Sequence, residues 1–207
     1  MFEFFVQHKD ISIDFVHVQN PFFEIKDVDY NLFLQNIGNG GFFLSQSLLI
    51  YPHTGDIEYP GIKGVNDCLR ENFGVYFEGL IAFGQDIFGN QFCFDTINSK
   101  VVFFNIEDAT KFNMATDFRG WVDCFVKDYD YYSGYSYSID WQINHRLEFN
   151  QRLCPKKPFT IGGDYNVANF YASAYPAYLK LNAALAIQLH DLPDGTPVQL
   201  TILPPDE

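Results

Sequence analysis

Between Val75 and Ile106 the chain runs through three short aromatic and β-branched segments, VYFEGLIAF (Val75–Phe83), NQFCFD (Asn90–Asp95) and KVVFFNI (Lys100–Ile106). The stretches between them are brief and rich in Gly, Asn, Asp and Ser. Parallel strands need a crossover of about a dozen residues or more. Connections this short leave only hairpins, so the spacing predicts an antiparallel meander. The first connection lies within FGQDIFGNQFCFD (Phe83 to Asp95), where Gly84 and Gly89 flank an acid. A phosphate-cradling loop opens directly into a helix. Here the glycines lead into Phe92, Cys93, Phe94 and Asp95, which alternate as a strand does. Gly84 and Gly89 therefore read as turn residues that permit unusual backbone angles, not as a catalytic loop.

Helical spacing marks the flanks. In DYNLFLQNIGNGG, Asp29 is the candidate N-cap, Leu32, Phe33 and Ile37 share a face, and Gly38 stops the helix. GFFLSQSLLIY follows as an extended segment. Ile62, Val65, Cys68 and Leu69 predict a second helix over Ile62–Phe73, closed by Gly74. In TDFRGWVDCFVKDYD, Phe118, Trp121, Val122 and Phe125 stand at i, i+3, i+4 and i+7, with Thr116 as the cap. Near the start, ISIDFVHV (Ile11–Val18) alternates like a half-buried strand. Beyond Tyr132 the tyrosine-rich YDYYSGYSY leads to a helix around Trp141, then a loop with Pro155, Pro158, Gly162 and Gly163. The end reads as a helix and then a hairpin of AIQLHDL, the turn Pro193-Asp194-Gly195, and VQLTIL. Helices and antiparallel strands in separate runs predict an α+β fold. Residues 1–135 are expected to form the core, and residues 136–207 an extension packed on the same domain.

Composition narrows the function classes. The 207 residues include 23 Phe and 13 Tyr, enough for a large core with Tyr left for surfaces. Acids outnumber bases 26 to 13, a formal charge of −13, which repels phosphate backbones and argues against nucleic-acid binding. Two readings of that acidity stand: it keeps an aromatic-rich chain in solution, or it draws in a basic partner. Cys68, Cys93, Cys124 and Cys154 form no close pairs, which excludes the spacing of zinc fingers and ribbons. No cofactor or metal site is predicted. MFEFFVQHKD has no basic n-region, and no stretch approaches the ~20 apolar residues of a membrane span. The expectation is a cytoplasmic protein with reduced thiols in its core.

The segment LIAFGQDIFGNQFCFDTINSKVVFFNIED resembles the central hairpin region of the SUKH superfamily, the group of Smi/Knr-type cell-wall-assembly regulators. The likeness rests on an acidic Gly-containing turn (Phe83-Gly84-Gln85-Asp86), an aromatic strand ending in Asp (Gly89 to Asp95), and a strand of the form "gkVyyy" (Val101 to Phe104). IGNGGFFLSQSLLIY resembles the family's entry, and the helix around Trp121 the one after the hairpin. The resemblance spans roughly residues 28–130. It implies a SUKH-like α+β fold and a non-enzymatic protein-binding role. In the bacterial branch that role is an immunity protein that neutralises a secreted, nuclease-like toxin. The runner-up is a regulatory scaffold, and third comes an enzyme acting on a small phosphorylated ligand near Lys156 and Gly163.

If a basic toxin domain is the partner, the candidate contacts are Asp86 and Asp95 at the turns, Glu107 and Asp108 after the third strand, and Asp123, Asp128 and Asp130 on and after the Trp121 helix. Tyr131 and Tyr132 join them from the cluster with Tyr129, Tyr135 and Tyr137 around Gly134, since Tyr offers broad apolar area with a polar tip. Each acid has a structural alternative: Asp86 and Asp95 as turn caps, the others as a solvated face. Arg146, Arg152, Lys156 and Lys157 concentrate positive charge before Gly162-Gly163, where an anion could bind or where they neutralise the chain's own acids. His145 and Glu148 lack a nucleophile and a third partner, so no catalytic residue is predicted.

Overall fold

The structure is a computed structural model, and it describes residues 2–10, 25–53, 61–193 and 195–198. The architecture is α+β, as predicted. A six-stranded antiparallel sheet in the order β1-β2-β3-β4-β5-β6 is built from β1 (Gly41–Phe43), β2 (Leu48–Ile50), β3 (Leu80–Gln85), β4 (Gln91–Asp95), β5 (Lys100–Phe104) and β6 (Lys111–Ala115). Helices α1 (Glu3–Gln7) and α2 (Val28–Ile37) precede it, α3 (Ile62–Phe73) lies between β2 and β3, and α4 (Phe118–Lys127) follows it. The predicted meander is β3-β4-β5, with every pairing antiparallel. The ISIDFVHV strand lies outside the described residues, as does the VQLTIL segment beyond Val198.

Both faces of the sheet are covered, which is why β3 is buried at every position. On one face Trp121 of α4 is the hub, with ring centroids 5.0 Å from Phe83, 5.1 Å from Phe118, 5.2 Å from Phe125 and 5.4 Å from Phe92. Edge-to-face and offset geometries of this kind add to the stabilisation from area burial. The four residues predicted at i, i+3, i+4 and i+7 are those that α4 buries. On the other face Phe104 meets Phe73 of α3 and Phe77 of the following 3-10 turn.

Several local readings are corrected. Asp27, not Asp29, caps α2 by accepting from Tyr30 N–H, and Asp117, not Thr116, caps α4 by accepting from Gly120 N–H. Leu32 is exposed while Leu34 is buried. VYFEGLIAF is extended only from Leu80, because Gly74–Phe77 forms the 3-10 turn. GFFLSQSLLIY is a hairpin rather than one extended run. Gly84 lies inside β3, where a Cβ would stand 2.7 Å from Leu49 O, so it serves the close approach of β2. Gly89 does sit in the turn, at φ +86°. AIQLHDL belongs mostly to a helix, α7 (Ala177–Leu189). The two-stranded pair of the extension comes earlier: β7 (Gln151–Pro155) with β8 (Phe170–Ala174).

Where β2 ends, the buried edge of β3 left without a strand partner is completed by a side chain. Asn66 of α3 donates Nδ2–H to Ala82 O and accepts Ala82 N–H, both at 2.8 Å, beside the bulge between Ala82 and Gly84. Buried backbone groups need partners, and this amide supplies both.

The extension is tied to the core through two turns. The β3–β4 turn projects Ile87 into a second apolar cluster with Trp141, Leu147, Leu153 and Phe170. Its backbone is held by Ile87 N–H to Ser133 O and Leu153 N–H to Ile87 O. The β1–β2 turn places Leu44, Ser45 and Gln46 at φ +56°, +52° and +68°, a left-handed path costing about 1 kcal/mol or more per non-Gly residue. The Asp10 carboxylate accepts Ser45 and Gln46 N–H, and Ser45 O accepts from Ser138 Oγ and Gln142 Nε2. Gly134, at φ +67°, separates α5 (Tyr129–Ser133) from α6 (Tyr135–Gln142), and a Cβ there would stand 2.6 Å from Ile87 Cγ2. Gly134→Ala combines left-handed strain with overpacking, an expected loss of roughly 2–4 kcal/mol. Urea unfolding measures it, and an unchanged midpoint contradicts this account of the joint.

Candidate functional site

The proposed partner-facing acids separate into two groups. Asp86, Asp95 and Glu107 are buried, which corrects their reading as carboxylates offered to a partner. Asp86 accepts Phe88 N–H at 2.9 Å, Asn90 N–H at 2.8 Å and Asn90 Nδ2–H at 2.9 Å. Asp95 does the same one hairpin later, from Ile97 N–H, Asn98 N–H and Asn98 Nδ2–H. These are Asx turns, in which the side chain satisfies the turn's own backbone. Glu107 accepts Thr160 N–H and Oγ–H, so it ties the extension to the core. Asp108 is half-buried and accepts Thr110 N–H and Oγ–H.

Their environments move their acidities in different directions. Burial pushes the Asp86 carboxyl up to about 7, against the pull of the Asn90 and Phe88 bonds and of Arg152. Burial also raises Glu107, only partly offset by the Thr160 bonds. At Asp95 burial again pulls upward, but the Asn98 and Ile97 bonds and Lys111 outweigh it and leave the carboxyl lowered.

The second group is exposed. Asp123 faces solvent on α4, and the neighbouring Arg119 pairs with Asp29 at 3.8 Å. Asp128 and Asp130 are exposed around α5. The Asp130 carboxylate is fixed by Ser136 N–H at 2.6 Å and Ser136 Oγ–H at 2.8 Å. Tyr131 is 73% exposed. Tyr132 is half-buried, stacked on Phe125 and accepting the Cys124 thiol at 3.2 Å. From Asp128 to His145 there is no Lys or Arg.

Sequence reasoning missed the residue that completes this surface. Tyr165, in the β7–β8 connection, is 53% exposed. It stacks on Phe159 at 4.0 Å and 9°, and its centroid is 5.5 Å from Tyr137 of α6. Burial raises the Tyr165 phenol, and so do the nearby charges of Glu107 and Asp86 and the phenols of Tyr137 and Tyr131. Phe88, at the tip of the β3–β4 turn, packs behind Tyr137, Phe159 and Tyr165. Three segments far apart in the chain thus bring tyrosines together, and no local pattern signals it.

The basic loop does not present a common face. Arg152 is fully buried, its guanidinium 5.4 Å over the Phe42 ring and its Nη1–H on Gln151 O. Arg146 pairs with Glu148 at 2.9 Å, and Lys156 Nζ donates to Ala168 O. His145 and Glu148 lie after α6 has ended. A cleft of about 310 Å3 opens among Asp108, Thr110, Thr160, Leu189, His190 and Leu192. The titratable groups of its lining are already engaged: His190 Nδ1 bonds Asp108 O at 2.7 Å, and the Asp108 carboxylate holds Thr110. Among the described residues no three His, Cys, Asp or Glu side chains converge as metal ligands. Three cysteines are buried and Cys124 is half-buried, all as free thiols. No described helix is long and apolar enough to cross a membrane.

No family model matches the chain, and no curated protein does. Among solved structures, the crystal structure of Atu4351 from Agrobacterium tumefaciens aligns with a TM-score of 0.51 at 14% identity, covering 75% of this chain and 74% of that one. At that identity the likeness concerns the fold alone.

The raised Asp86 carboxyl makes stability depend on pH. Its folded pKa lies above the ordinary 3.8, so its contribution is complete below about pH 4 and is lost as pH rises through about 7. A displacement of that size corresponds to about 4 kcal/mol. Asp86→Asn cannot titrate, so between about pH 4 and pH 8 the parent should lose stability relative to the variant by up to that amount. Denaturant titrations across this range measure the difference. Parallel pH profiles for the two proteins contradict it.

Proposed function

We propose that this is a non-enzymatic, immunity-type protein of the SUKH kind, acting in the cytoplasm, that binds and neutralises a basic, nuclease-like toxin domain. The observation that carries the reading is the α5 surface. Asp128 and Asp130 are exposed there beside the largely solvent-facing ring of Tyr131, in a stretch without a single Lys or Arg. A nuclease cleft is shaped for phosphates, and carboxylates held on a rigid scaffold can occupy it in their place. The net charge of −13 adds a long-range field that speeds encounter with a cationic partner. The order of elements around the central hairpin supports the family assignment.

Affinity capture with the tagged protein from its source cells tests the proposal. A basic toxin-type domain should be recovered at about 50 mM salt and largely released at about 500 mM, because exposed charges are screened at the higher value. Asp128→Asn should weaken retention several-fold, whereas Asp123→Asn, on α4 and outside the α5 surface, should change it little. Recovery of no basic partner, or of one indifferent to salt, overturns the proposal.

A further inference from the structure

Single exposed aromatic side chains are ordinary on a protein surface. A tyrosine pair brought into contact from separate segments, with a third close enough to be felt electrostatically, is not. Tyr131 comes from α5, Tyr137 from α6 and Tyr165 from the β7–β8 connection. The Tyr137 and Tyr165 rings are backed by others that hold them in place: Phe159 lies parallel beneath Tyr165 at 4.0 Å, and Phe88 sits 5.6 Å from Tyr137 and 6.0 Å from Tyr165. A platform already packed in this way loses little side-chain entropy when something docks on it. Its surroundings carry negative charge. Asp130 precedes Tyr131 with its carboxylate oriented by Ser136, Asp164 is exposed beside Tyr165, and Glu107 lies buried close to the Tyr165 ring. Of the bases of the same connection, Lys156 is bonded to Ala168 O, and Lys157 Nζ lies beside Gly162.

Aromatic faces beside fixed carboxylates attract cations, and they discriminate between them. A guanidinium is planar, weakly hydrated and forked, so it stacks on a ring and bonds a carboxylate at once. An ammonium is compact and strongly hydrated, and gains less from the same surface. From this geometry we infer that the Tyr131, Tyr137 and Tyr165 platform is the docking surface for arginine side chains of a basic protein partner. The inference rests on the neutralising role proposed above and names the side chain that the surface selects.

Hexa-arginine and hexa-lysine peptides at about 50 mM salt serve as probes, because they carry equal charge and differ in the head group. Titration should show hexa-arginine binding about tenfold more tightly, with NMR shifts at Tyr131, Tyr137 and Tyr165. Tyr131→Ala and Tyr165→Ala should each weaken it roughly three- to tenfold, while Tyr165→Phe, which keeps the ring, should retain most of the affinity. Tyr131 is so exposed that its variant keeps the test valid if Tyr165→Ala fails to fold. Equal affinity for the two peptides, or tyrosine variants that bind as the parent does, overturns the inference. A basic partner captured equally well by both alanine variants leaves the neutralising role standing and removes this surface. Arginine-selective binding that maps to the platform, with no basic partner in the cell, does the reverse.

Discussion

The structure depends on one carboxylate. Asp86 takes three N–H donors from its own turn, and that turn is where the core and the extension meet. Ile87, locked between Ser133 O and Leu153 N–H, enters the second apolar cluster, and the adjacent Phe88 supports the tyrosine platform. Without the turn, β3 and β4 could still pair, but α5, α6 and the β7–β8 unit would lose one of their anchors. The cost of burying a charge is only partly offset by three hydrogen bonds and a nearby guanidinium. Desolvation wins that balance, which is why the carboxyl is raised so far above its ordinary value.

A second polar joint works in the same sense. Tyr51, Gln85, Gln91 and Tyr178 are all fully buried. Tyr51 and Tyr178 hydroxyls reach Gln85 Oε1 at 3.1 Å and 2.7 Å, and Tyr51 also reaches Gln91 Oε1 at 2.6 Å. This network ties α7 to the end of the sheet by directional bonds, whereas the Trp121 cluster supplies non-directional burial. Buried polar networks of this kind specify a unique arrangement, since any other leaves donors unpaired. The exposed surface around α5 is therefore presented by a body fixed at two polar points.

Much of the fold was legible because the physics that sets it is local. Ile62, Val65, Cys68 and Leu69 repeat at the helical period, and α3 has the predicted limits. Short Gly- and Asn-rich connections permit only antiparallel pairing, and the meander follows. The failures have equally physical causes. KFNMA is an edge strand with mostly exposed residues, so it shows little burial pattern and β6 went unread. β7 and β8 are joined by a long connection through two 3-10 turns, which hides their pairing. The AIQL of α7 carries apolar residues on buried and exposed faces alike, with Ile187 at 49% exposure, so no period separates helix from strand. At the site, an acid flanked by turn residues looks the same whether it caps the turn or faces water. Asp86 and Asp95 do the first, Asp128 and Asp130 lie exposed, and only packing reveals which. Tyr165 joins Tyr137 across a distance in sequence that no local window spans.

The central claim is that the surface formed by α5, α6 and the Tyr165 connection is where this protein meets a cationic macromolecule. Hydrogen–deuterium exchange on the captured complex against the free protein tests it most directly. The account predicts slowed exchange confined to residues 128–137 and 159–165. Protection centred on β6, or on the cleft beside His190, would contradict it.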